Sequence, residues 1–245
     1  MNETRQLMYR HSSVRRYTEQ QIDNSLLRDI VQCGQSASSS SFIQAYSVIR
    51  VSDKQNREII SQAAGNQSWV LECAEFLVIC ADMLRIEYCC KKSEENELQG
   101  QAEHFIAATV DAALMAQNML LAAESAGLGG VFIGGIRNQP EAVAKCLQLP
   151  NQVYPVFGLC LGWPVAKQAV KPRFPVDVIL HQQTYQADRV KDQLDIYDKQ
   201  MTDYYSTRQS NVKMTNWSKQ TAAAVQGKKR EHMLDFLRSQ GFLKR

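Results

Sequence analysis

The densest group of anion-holding side chains is His11-Ser12-Ser13-Val14-Arg15-Arg16, near the start of the 245-residue chain. In an extended stretch His11, Ser13 and Arg15 alternate onto one side, offering imidazole, hydroxyl and guanidinium donors together. Charge-assisted hydrogen bonds of this sort contribute roughly 1.5–3 kcal/mol each. A second cation pair stands in Lys171-Pro172-Arg173, where Pro172 and Pro175 stiffen the backbone and reduce the cost of ordering two cations. Taken singly, a solvated basic turn and an ordinary surface loop are the commoner outcomes of two such runs.

The Gly-rich run Gly127-Leu128-Gly129-Gly130-Val131-Phe132-Ile133-Gly134-Gly135 invites a dinucleotide-fold reading and fails it. Phe132 stands where the third fingerprint glycine belongs, and the run follows a helix, whereas the fingerprint follows a strand and opens a helix. Gly127 reads better as a helix C-cap, and Gly134-Gly135 as a strand end that ordinary turn chemistry also explains. The four histidines, His11, His104, His181 and His232, have no metal-ligand spacing, and there is no G-x-S-x-G. A metal site is not expected, and hydrolase chemistry is disfavoured. Lys228-Lys229-Arg230 reads as a solvated helix face, and Ser36 to Ser41 as either a linker or a tight hydroxyl-rich loop.

Positioning these groups requires a core. Short apolar runs at Tyr46–Val51, Phe76–Asp82, Val131–Gly134 and Val156–Gly162 read as strands, the last three continuous enough to be covered on both faces. Asp23 and Asp53 are candidate helix caps, the second helix ending near Gly65. The segment from about Glu103 to Ala126 reads as a buried central helix, its face made by Phe105, Ile106, Val110, Ala113, Leu114, Gln117, Leu120 and Leu121. Another helix starts at Pro140. Beyond His181, Val190, Leu194, Tyr197, Met201 and Tyr204 make a narrow stripe, as do Met233, Leu234, Phe236 and Leu237. A tail with so little core suggests wrapping around a partner subunit.

The net charge of +3 is too small to draw the chain to nucleic acid or to a membrane. Seven cysteines without a C-x-x-C pair suit a reducing compartment, Cys89-Cys90 included. The start, Met1-Asn2-Glu3-Thr4-Arg5, leads into mixed charge instead of the apolar stretch of a secretory signal, and no apolar run is expected to span a membrane, so a cytoplasmic location is expected.

In order and spacing, several segments together resemble the nitroreductase superfamily, in its oxygen-insensitive NADPH nitroreductase and flavin oxidoreductase branch. They are His11 to Arg15, Ser38 to Phe42, Ala74-Glu75-Phe76, Met115 to Asn118, Ala122 to Ser125, Gly127 to Gly130, Ile133 to Gly135, Gly158 to Gly162, Lys171 to Arg173, and Tyr204-Tyr205 with Arg208. The resemblance implies one α+β domain over residues 1–245, with a mostly antiparallel sheet flanked by helices. A C-terminal extension from about residue 185 would wrap the partner of a homodimer and contact NADPH.

It also implies bound FMN. His11, Ser13, Lys171 and Arg173 would hold its phosphate and ribityl end, with Val14 in the same motif, and Arg15 would face N1 and the C2 carbonyl. Gln67 would meet the pyrimidine edge, Ser39 would come from the other subunit, and Phe132, Ile133, Gly134 and Gly135 would line the ring. Arg208 and Lys213 match positions that take the extra phosphate of NADPH. Ser12 departs from the branch, which usually has Arg there, so the site loses a cation and gains a hydroxyl. The implied activity is ping-pong hydride transfer from NADPH to nitroaromatics, quinones or free flavin, with no side-chain nucleophile. The alternatives are a flavin reductase that supplies a monooxygenase or luciferase, and a non-catalytic flavin-binding regulator.

Overall fold

The structure, a computed structural model, describes residues 1–166, 168–207, 214–227 and 229–245. The chain forms two compact units, Met1–Gln168 with Arg230–Arg245, and Ala169–Lys229. In the first unit the order is α1 (Glu3–Tyr9), α2 (Asn24–Gln35), β1 (Tyr46–Arg50), α3 (Lys54–Ala63), α4 (Trp69–Glu72) and β2 (Glu75–Asp82). Then come α5 (Leu84–Lys92), α6 (Ala102–Ser125), β3 (Gly129–Ile133), α7 (Pro140–Cys146) and β4 (Val153–Gly162). The second unit carries α8 (Val176–Ile179), α9 (Ala187–Ser206) and α10 (Trp217–Gly227), and α11 (Met233–Ser239) belongs to the first.

The four strands form one sheet in the order β1-β2-β4-β3, every neighbouring pair antiparallel. Period-two alternation sends Leu77, Ile79 and Ala81 of β2 to one face and Phe76, Val78 and Cys80 to the other. The first face packs under α2 and α6, the second under α3 and α7, and this double covering is why β2 and β4 read as continuous apolar runs.

Helix starts and stops follow local chemistry. The Asp53 side chain accepts from the Asn56 N–H at 2.8 Å and caps α3, whereas Asp23 precedes α2 without a side-chain cap bond. At the end of α6 the Leu128 N–H donates to the Ala123 carbonyl and the Gly127 N–H to the Glu124 carbonyl, with Gly127 at φ +87°, a Schellman closure.

Helix α6 departs from expectation in two ways. Its buried face is Ala107, Ala108, Asp111, Ala112, Met115, Ala116, Met119, Leu120 and Ala123, while Ile106, Val110 and Leu114 lie about half exposed at four-residue spacing. Alanines together with Met115, Met119 and Leu120 pack against the sheet and α2, and Ile106, Val110 and Leu114 face outward. At 24 residues, with an 18-residue window of mean hydropathy 1.5, it also has the length and composition of a membrane span, contrary to the sequence reading. The buried face, packed on this chain's own sheet, accounts for that composition.

The second unit is held by aromatic packing. Phe174 lies 4.1 Å from Tyr197 and 4.9 Å from Trp217 between ring centroids, and the Tyr197 hydroxyl donates to the Pro172 carbonyl at 2.9 Å. The stripe of α9 runs through Tyr197 and Met201 to Tyr205, which is buried, with Tyr204 partly buried against the same cluster. By contrast, Phe236, Leu237 and Phe242 join the core of the first unit, so the last helix packs within its own chain.

Candidate functional site

Val14 anchors the first basic motif. Its N–H donates to the Gly130 carbonyl at 2.9 Å, and its side chain is buried against Gly129, where a β-carbon would come within 2.4 Å of Cγ2. Three residues on, Tyr17 donates its hydroxyl to the Val14 carbonyl at 2.6 Å and bridges to Pro164; burial, with nearby cysteines adding to it, pushes its phenol well up. The Thr18 N–H donates to the Trp163 carbonyl, and the Val165 N–H to that of Arg16. The motif is thereby pinned along the edge formed by the start of β3 and the end of β4. Val14 acts as a packing peg, and the donors of this segment are its neighbours His11, Ser12, Ser13 and Arg15, which are partly or fully exposed.

Arg15 places its guanidinium 5.7 Å from the centroid of the Trp69 ring, a cation–π contact that aims the side chain without neutralising it. Trp69 in turn donates Nε1–H to Gln67 Oε1 at 3.0 Å, and Gln67 Nε2 donates to the Ala64 carbonyl at 2.8 Å. Each end of the amide keeps one hydrogen-bonding position, an N–H and an oxygen lone pair. A β-carbon on Gly135 would stand 2.3 Å from Gln67 Nε2 and 2.4 Å from the Ala64 oxygen, so the amide sits directly on glycine backbone. Arg15, Trp69, Gln67 and Gly135 therefore form one contiguous group drawn from three separated segments.

The strand leading into this group splits its side chains. Ile133 is buried in the cluster under α3 and α7, while Phe132 packs on the other face, 5.0 Å from Phe157 between ring centroids. Both cannot offer side chains to one ring, which leaves the backbone at Ile133 to Gly135 as the part that can approach a flat group.

Two arginines meet at Gly134. Arg230 donates Nε–H to Asn138 Oδ1 and an NH2 hydrogen to the Gly134 carbonyl, each at 3.1 Å. Arg137 lies beside it, and its basicity is lowered by burial first and by Arg230 second. This corrects the reading of Lys228-Lys229-Arg230 as a helix face, because α10 ends at Gly227 and Arg230 is partly buried in a tertiary contact. The lone signal in the sequence was a basic run beside no apolar periodicity.

The serine-rich segment is a tight turn. Asp111, fully buried on α6, accepts from the Ser40 N–H at 2.8 Å and the Ala45 N–H at 3.1 Å, and Ser39 Oγ accepts from the Gln44 N–H at 3.1 Å. This holds Ser41, Phe42 and Gln44 at positive φ, with Phe42 on the exposed tip. Lys171 belongs to the second unit, where its ammonium lies 5.3 Å from the Tyr205 ring centroid, and Arg173 shares that loop. Arg208 and Lys213 lie outside the described residues.

A four-stranded antiparallel sheet between helical layers, with Arg15 and Gln67 converging on a glycine turn, defines a class as well as a site. The chain belongs to the nitroreductase family: the family's model matches residues 7–163, and the model of its C-terminal domain matches residues 171–245. It is 40% identical over 245 residues, all of both chains, to an oxygen-insensitive NADPH nitroreductase of Salmonella typhimurium. It is 41% identical over 246 residues, again all of both chains, to an NADPH-flavin oxidoreductase of Vibrio harveyi. The solved structure of the NADPH:FMN oxidoreductase from Vibrio harveyi complexed with NAD+ superposes with a TM-score of 0.87 at 39% identity, covering all of both chains.

Proposed function

We propose that this protein is an FMN-dependent NADPH oxidoreductase that reduces nitroaromatics, quinones and similar electron-poor acceptors by ping-pong, two-electron hydride transfer. The observation that carries this reading is the Arg15–Trp69–Gln67–Gly135 group. It offers a cation that forms no ion pair among the described residues and an amide with a spare donor and a spare acceptor, seated on the Gly135 backbone. Those are the groups that a flavin's pyrimidine edge requires, so the residues present fit FMN.

When bound, FMN would supply the hydride-accepting and hydride-donating centre. The protein's part is to bind, orient and tune. Arg15 favours the negative charge that accumulates on reduction, and Gln67 fixes the ring edge. His11, Ser12 and Ser13, and in the second unit Lys171 and Arg173, are assigned to the phosphate and ribityl end. Val14 serves this site as the peg that seats the motif on Gly129, Phe132, Ile133, Gly134 and Gly135 serve it through their backbone, and Ser39 of the partner subunit completes it. Arg208 and Lys213 are assigned to the extra phosphate of NADPH.

A homodimer is part of this reading. The Ile106, Val110 and Leu114 stripe on α6 leaves apolar surface for a second copy, and the described residues of 169–229, whose core is the small cluster around Tyr197, Met201 and Tyr205, suit wrapping around it. Cysteines that are all free suit the cytoplasm.

Arg15→Ala tests the assignment. It should lower the two-electron reduction potential of the bound flavin by about 30–60 mV, the equivalent of one charge-assisted hydrogen bond. An unchanged potential in spectroelectrochemical titration would remove Arg15 from the ring edge.

A further inference from the structure

His11 Nδ1 and Glu124 Oε1 are 2.6 Å apart, joining the segment after α1 to the last turn of α6. An ionised carboxylate can only accept, so Nδ1 carries the proton and the ring has a defined orientation. The position of Glu124 is locally unfavourable for its helix, because a negative charge in the last turn opposes the macrodipole. Neither is it needed to end the helix, which the Gly127 and Leu128 N–H groups already close. Its side chain is only 11% exposed, so the carboxylate has given up most of its water for this one imidazole. His11 remains 27% exposed, and with Nδ1 occupied, Nε2 is its one nitrogen open to a ligand.

We infer that Glu124 is a positioning residue for the phosphate end of the cofactor: it holds the His11 ring so that Nε2 is presented to a phosphate oxygen. This rests on the FMN reading above. Phosphate oxygens accept, so in the complex both ring nitrogens donate, one to Glu124 and one to phosphate. The carboxylate thus acts through the imidazole, as outer partners do for histidines that bind metals.

The experiment measures the dissociation constants of FMN and of riboflavin, which lacks the phosphate, for the apoprotein and for Glu124→Gln, Glu124→Leu, His11→Ala and the double variant Glu124→Leu/His11→Ala. Glu124→Leu should weaken FMN on the order of tenfold and leave riboflavin unchanged. Glu124→Gln, which keeps an acceptor, should fall between Leu and wild type. The double variant should bind FMN no more weakly than His11→Ala alone, because the two residues form one unit. Equal weakening for both flavins, or losses that add in the double variant, would overturn the inference and leave the FMN reading standing. Wild-type protein that binds neither flavin would overturn both.

Discussion

Gly135 lies so close to Gln67 that a β-carbon would stand 2.3 Å from Nε2, with the Ala64 carbonyl at 2.4 Å on the same side. The amide that is assigned to the flavin edge therefore depends on the absence of one methyl group. Gly135→Ala should push Gln67 off its bond to Ala64 and cost about 1–3 kcal/mol of stability, as overpacking does. Thermal denaturation, together with flavin content after purification, checks this. A variant with wild-type melting and full flavin content would mean that the loop yields freely.

Asp111 makes a second such demand from inside the core. Asp111→Ala strands the Ser40 and Ala45 N–H groups, and should cost about 3 kcal/mol in urea denaturation, with Asp111→Asn costing about half as much because one acceptor survives. A loss within 0.5 kcal/mol of zero, on the order of an ordinary surface change, would show that the turn holds itself.

These two residues also show where sequence reading stops. The strands were legible because β2 and β4 are buried on both faces, and the start of α3 because Asp53 makes its own cap locally. Helix α5 carries a short, mixed pattern that periodicity does not separate from a loop, and it was missed. Asp111 stands in an apolar helix with a partner 71 positions away in the chain, and Arg230 looked solvated because Asn138 and Gly134 are 92 and 96 positions away. The outward turn of Ile106, Val110 and Leu114 has the same origin: α6 is apolar nearly all round, so hydrophobicity alone does not choose its core face. Family motifs pointed to His11 to Arg15 and to Gln67, but not to the contacts of His11 with Glu124 and of Arg15 and Gln67 with Trp69.

Arg208 is assigned to the phosphate that distinguishes NADPH from NADH. Arg208→Ala should raise the KM for NADPH about tenfold or more while changing that for NADH by less than about twofold, as loss of one charge-assisted contact implies. Steady-state kinetics with both nicotinamides decides it, and equal effects would remove Arg208 from that role.

The central claim is that NADPH delivers a hydride to a flavin held by this chain. Anaerobic titration of the purified, flavin-loaded protein with NADPH, followed by absorbance, tests it most directly. The account predicts bleaching complete at one NADPH per bound FMN, and return of the oxidised spectrum when a nitrofuran or quinone is added. Yellow protein that keeps its colour with excess NADPH would contradict it and point to a flavin-binding protein without turnover.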